Sequence, residues 1–131
     1  ILFGDYEELP DAIILPGGMP GAENLANSEK LKDMILAMSS GKKLIAAICA
    51  SPALVLAPMG ILDGIEATCY PGMERYFSPD TIFTEKKVVQ SGNIVTSRGP
   101  GTAFAFGVKI AENLAGSSKT DMVSGLMLSG V

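Results

Sequence analysis

A chain of 131 residues fits one domain and leaves little room for two. With 47% apolar and 18% charged residues it can bury a sizeable core, and its net charge of −4 argues against nucleic acid and anionic membranes, which both need a basic patch. Histidine is absent, which excludes Ser-His and Cys-His catalysis within one chain, and two cysteines alone are too few soft ligands for a zinc site. No apolar stretch of roughly 18 residues suggests a membrane span, and no signal peptide is expected. Two cysteines do not make a disulfide framework, so a reducing, cytoplasmic setting is expected, with organelles not excluded.

Residues 1–10 read as the lead-in to a strand already inside a domain, so a piece ahead of Ile1 is expected. Ala12-Ile13-Ile14-Leu15 is an all-apolar run, the pattern of a strand buried on both faces. It stops at Pro16-Gly17-Gly18-Met19-Pro20-Gly21, a loop whose glycines permit close backbone approach. Asn27 or Ser28 then caps a helix with Leu31, Met34, Ile35 and Met38 on one face, and Gly41 ends it. Leu44-Ile45-Ala46-Ala47-Ile48 is a second buried strand with Cys49 at its C-terminal end. Pro52 suits the first turn of a helix running to about Ala57. Ile65 to Thr68 is a short strand that ends at Tyr70-Pro71-Gly72. Val88-Val89-Gln90 and Ile94-Val95-Thr96 flank Ser91-Gly92-Asn93 as a hairpin. After the glycine-rich turn Ser97–Gly101, Phe104 to Leu114 reads as a helix apolar on most of its surface, and residues 117–128 as a last amphipathic helix.

Alternating strands and helices imply a mostly parallel sheet with helices on both faces, and ligands of such sheets bind beyond the strand C-termini. The loops Gly17–Gly21, Cys49–Pro52 and Ser97–Gly101 should therefore gather on one edge. Cys49, where a buried strand breaks into a helix start, should project into that crevice as the nucleophile does in a Gly-x-Ser-x-Gly elbow. The helix start favours negative charge and hence the thiolate, and the Gly18 and Ala50 amides are placed to face a developing oxyanion. A free cysteine is also at home as a small apolar core residue, so composition leaves both roles open. Arg98, alone among glycine and proline, could hold an anion, pin neighbouring loops, or stand in solvent. Cys69 reads as structural rather than catalytic. The loop Gly17–Gly21 matches neither Gly-x-Gly-x-x-Gly nor a Walker sequence, so no nucleotide cofactor is expected.

Together, Ile14-Leu15-Pro16-Gly17-Gly18 with Gly21-Ala22-Glu23-Asn24-Leu25, Ala46-Ala47-Ile48-Cys49-Ala50, and Thr96-Ser97-Arg98-Gly99-Pro100-Gly101-Thr102 resemble the ThiJ/PfpI superfamily, in particular its Parkinson-disease protein deglycase branch. The resemblance covers nearly the whole chain. It implies a flavodoxin-like three-layer sandwich, usually a homodimer, without metal or cofactor. It implies Cys49 as nucleophile, Gly18 and Ala50 as oxyanion-hole amides, and Gly17, Met19, Tyr70, Arg98 and Pro100 around the pocket. Arg98 with Pro100 would also reach toward a dimer interface. Such proteins are glutathione-independent glyoxalases that turn methylglyoxal into lactate, protein deglycases, or redox-sensing chaperones. The resemblance implies a proton-shuttling glutamate from the helix of a first βα unit, which would precede Ile1; Glu7, Glu8 and Glu23 do not match its motif.

Ala50 stands where the protease-like branch has histidine, and the related amidotransferases need a histidine this chain does not have. Tyr70 replaces a histidine that some deglycase-branch members place before the proline, which implies modest turnover. The expected function is cysteine chemistry on a small α-oxoaldehyde, with a non-catalytic redox-sensing chaperone as the alternative.

Overall fold

The computed structural model describes residues 8–126. Strand β1 (Ala12–Leu15) leads through a short helix α1 (Gly21–Ala26) and helix α2 (Glu29–Ser40) to β2 (Leu44–Ile48). A helical segment of π and 3-10 turns follows over Pro52–Leu56 and Ala57–Met59. Then come β3 (Glu66–Ala67), a 3-10 turn (Met73–Tyr76), β4 (Ile82–Phe83), β5 (Val88–Ser91), β6 (Ile94–Ser97), α3 (Ala103–Ala115) and α4 (Ser117–Leu126). The expected last helix is present as far as Leu126; positions 127 and 128 lie outside the described residues, as does Glu7.

The main sheet runs β1-β2-β6-β5. β1 pairs with β2 and β2 with β6 in parallel, while β5 joins β6 antiparallel through the Gly92-Asn93 turn. Period-2 alternation sends Ile45 and Ala47 to one face and Leu44 and Ala46 to the other. On the first face Ile13, Leu15, Ile45 and Ala47 meet Leu31, Ile35 and Met38 of α2 with Val55 and Leu56. On the second, Leu44, Ala46 and Val95 meet Phe106 and Ile110 of α3. Helices thus cover both faces of a mostly parallel sheet, a three-layer flavodoxin-like arrangement.

The Ser28 hydroxyl caps α2 by accepting a bond from the Leu31 amide at 3.2 Å. The left-handed residue after that helix is Lys42 (φ 53), not Gly41 (φ −81). The helix after Cys49 departs from α geometry for a covalent reason. Pro58 has no amide to give the Leu54 carbonyl and its ring would clash there, so the ladder widens to the Ala57-to-Pro52 bond and then tightens to 3-10.

The expectation that β1 is buried on both faces is corrected. Ile14 is 52% exposed, because β1 ends the described sheet and its second face meets no described helix there. Helix α1, which the local pattern did not predict, begins at Gly21, where the loop was expected to end, and its start is tied by the Ala22 amide, which donates to the Gly18 carbonyl at 2.8 Å. β3 and β4 form a separate parallel pair, with Glu66 opposite Ile82 and Ala67 opposite Phe83. Helix α3 buries only Phe106 and Ile110; Phe104 and Leu114 stay exposed, and an apolar groove of about 380 Å³ runs between α3 and α4.

Candidate active site

Cys49 is a half-buried residue directly after β2, with a left-handed backbone of φ +65. L-residues pay for that conformation, and a strand must turn sharply to enter a helix within two residues. The turn is held from both sides. The Cys49 amide donates to the Ser97 carbonyl at 3.1 Å, and the Cys49 carbonyl accepts from the Tyr70 amide at 2.9 Å. Beside it, the loop after β1 comes in at Gly17. A Cβ there would stand 3.1 Å from Cys49 Sγ and 3.0 Å from the Ile48 carbonyl oxygen, so only glycine fits. Ser51, fully buried, donates its hydroxyl to the Pro16 carbonyl and ties the same two loops together.

Cys49 opens onto a pocket of about 410 Å³, lined also by Gly18, Met19, Ala50 and Tyr70 on the sides already named. Its far wall is Pro71, Gly72, Met73 and Arg75. Sequence reasoning missed that wall, although Tyr70-Pro71-Gly72 at a strand end was the available signal. The Arg75 guanidinium packs over the Tyr76 ring at 4.9 Å and donates to the Gly72 carbonyl at 3.4 Å. Gly18 has φ +87, which lets the loop fold over the cysteine.

Of the residues expected around the pocket, Gly17, Arg98 and Pro100 do not line it. The Arg98 Nε donates to the Cys69 carbonyl at 3.0 Å and its guanidinium lies 5.8 Å from the Phe83 ring centre. Arg98 therefore ties the end of β6 to the segment after β3 and to β4. Its loop is ordered by Thr102, whose Oγ1 accepts from the Arg98 amide at 3.2 Å and the Gly99 amide at 3.1 Å. That oxygen also lies 2.7 Å from Ser97 Oγ.

Cys69 is wholly buried and its Sγ donates to the Tyr70 carbonyl at 3.4 Å. Its thiol is pushed up from 9.0 to about 12, first by burial, then by the Glu74 carboxylate, with Cys49 adding to the shift and Arg98 opposing it. A thiol so placed keeps its proton and is a poor nucleophile. Near it, Glu74 Oε2 and Thr68 Oγ1 are buried without a hydrogen-bond partner among the described residues.

A mostly parallel sheet carrying a half-buried cysteine on a left-handed strand-to-helix turn, above a small pocket, defines a cysteine-centred protein of the flavodoxin-like class. The chain belongs to the DJ-1/PfpI family, which residues 4–113 match; that family includes enzymes with a cysteine nucleophile. It is 44% identical over 115 residues to protein dj-1beta of Drosophila melanogaster, covering 87% of this chain and 61% of the relative. It is 42% identical over 109 residues to the Parkinson disease protein 7 homolog of Danio rerio, covering 82% of this chain and 57% of the relative. Protein DJ-1 homolog A of Arabidopsis thaliana is 44% identical over 119 residues, 90% of this chain and 30% of that one. The chain thus spans less than two thirds of the length of these relatives. The crystal structure of Drosophila melanogaster DJ-1beta superposes with a TM-score of 0.88 at 39% identity, over 98% of this chain and 68% of that one. The structure titled Toxoplasma gondii DJ-1, oxidized, gives 0.86 at 40% identity, over 92% of this chain and 65% of that one.

Proposed function

We propose that this chain carries the cysteine centre of a glutathione-independent glyoxalase, or protein deglycase, acting on methylglyoxal or glyoxal and their adducts. The observation that carries the reading is Cys49 at φ +65, turned by its backbone toward a pocket of about 410 Å³ that Gly18 and Ala50 also line. The Cys49 thiolate attacks the aldehyde carbon, and the carbonyl electrons move onto oxygen, where the Gly18 and Ala50 amides stabilise the charge. Protonation gives a hemithioacetal. A base then moves the C1 proton to C2 as the neighbouring carbonyl is reduced, leaving a thioester. Water releases the hydroxy acid and returns the thiol. Few polar contacts are needed for a substrate of two or three carbons. Tyr70 borders the pocket and orients it, and Arg98 acts through the loops it ties together.

The base in this reading is a glutamate on a further βα unit, packed beside β1. The support is the 52% exposure of Ile14 on a strand that ends the described sheet. No helix among the described residues is long and apolar enough to cross a membrane. We read the working form as a cytoplasmic homodimer. The test is lactate formation from methylglyoxal, by the full-length protein and by Cys49→Ser. Turnover that vanishes in the variant supports the reading; equal rates in both sink it.

A redox-sensing chaperone is the second reading, favoured by one observation: a structural relative with a TM-score of 0.86 is described in its oxidized form. A half-buried thiol on a helix start is open to peroxide, which would take Cys49 to a sulfinate. Suppression of client aggregation only after peroxide treatment, with no lactate produced, would favour that role over the enzyme.

A further inference from the structure

An amide stabilises developing charge well only if it is already aimed when the charge appears. Glycine supplies no such rigidity, and Gly18, at φ +87, has no side chain to pack. Two bonds supply it. The Gly18 carbonyl accepts from the Ala22 amide at 2.8 Å, which fixes the loop on its α1 side. On the β1 side, the Pro16 carbonyl accepts from the Ser51 hydroxyl. Ser51 is fully buried and sits two residues beyond the nucleophile, so this bond is rooted in the turn that carries Cys49 and Ala50. Gly17, pressed against Cys49, lies between the two ties.

We propose that Ser51 is a positioning residue: its hydroxyl sets where the Gly18 amide stands relative to Cys49 Sγ. It does not line the pocket, so its effect reaches the reaction through the loop. The inference rests on the cysteine-enzyme reading above and assigns that site a geometric control from the buried side.

Ser51→Ala removes one oxygen and keeps nearly the same volume. In the full-length protein, kcat for methylglyoxal should fall at least about tenfold while KM moves less than about threefold, the mark of an interaction made in the transition state. Alkylation of Cys49 by iodoacetamide, which builds no oxyanion, should stay within about twofold of wild type. Hydrogen exchange reads the loop independently of turnover. The Ala22 amide, bonded to Gly18, should exchange at least about tenfold faster, while the Ile45 amide, bonded to Asn93 at 2.8 Å, keeps its rate. An unchanged kcat, a parallel acceleration at Ala22 and Ile45, or a variant that does not fold would each overturn the proposal and leave Ser51 a purely structural bond. If wild-type protein produces no lactate, the glyoxalase reading fails by itself, and the exchange pattern alone decides the role of Ser51.

Discussion

Gly17 and Cys49 face each other across two loops with no room for a methyl group between them. A Cβ on Gly17 would overlap Cys49 Cβ and come within 3.1 Å of Cys49 Sγ. The loop after β1 and the turn after β2 are therefore one unit, and the site's geometry depends on a residue with no side chain.

Gly17→Ala should force the two loops apart. We expect a loss of about 1–3 kcal/mol of stability, typical of overpacking, and faster alkylation of Cys49 as its cover lifts. Urea denaturation and iodoacetamide kinetics on the same preparation check both. A variant with wild-type values in each would mean the loops yield without cost.

Cys49 occupies a backbone conformation that glycine adopts freely. Cys49→Gly should raise stability by up to about 1 kcal/mol while abolishing every thiol-dependent activity, a trade expected where a functional residue holds strain. Chemical denaturation of the two proteins decides it. A Cys49→Gly variant less stable than wild type would show that the side chain's packing outweighs the strain.

Cys69 predicts an alkaline weakness. The folded protein keeps its proton until about pH 12, whereas the unfolded chain gives it up near 9. Between those values the folded state binds more protons, so stability falls as pH rises, with a slope approaching about 1.4 kcal/mol per unit. The contribution is intact below pH 9 and lost on passing through 12. Cys69→Ala should remove that part of the slope. Urea titrations of both proteins at several pH values above 8.5 test it, and parallel curves would refute it.

Thr102 gathers the Arg98 and Gly99 amides on one oxygen. Thr102→Val keeps the shape and strands both donors, so we expect a loss of about 2–3 kcal/mol, with Thr102→Ser restoring most of it. Thermal or urea melts of the three proteins give the answer. A valine variant as stable as wild type would mean that water replaces the hydroxyl.

Much of this molecule was legible in local pattern. The apolar run Leu44–Ile48 before a cysteine and a proline specified a buried strand, a sharp turn and a helix start, because burial and backbone geometry are written residue by residue. Ser28 three residues ahead of Leu31 marked the start of α2, and Gly92-Asn93 between two β-branched runs marked the hairpin. The family motifs carried the expectation of a cysteine centre.

Other features exist only in three dimensions. Arg98 turns to a carbonyl 29 positions earlier, at Cys69, rather than toward the pocket, and nothing near Arg98 in sequence encodes that partner. The pocket wall of Met73 and Arg75, the two-residue pairing of β3 with β4, and the Ser51 bond to Pro16 are likewise contacts across long stretches of chain. Ile14 shows the limit most plainly. Its apolar neighbours describe a strand buried on both sides, but whether a helix or strand lies beside it depends on what the rest of the fold brings there. Sequence by itself determined which segments could be strands and where the thiol would stand, since those are local matters of periodicity and φ. Only the tertiary structure decided which side chains meet at that thiol, because polar partners and packed walls are chosen by the closure of the fold.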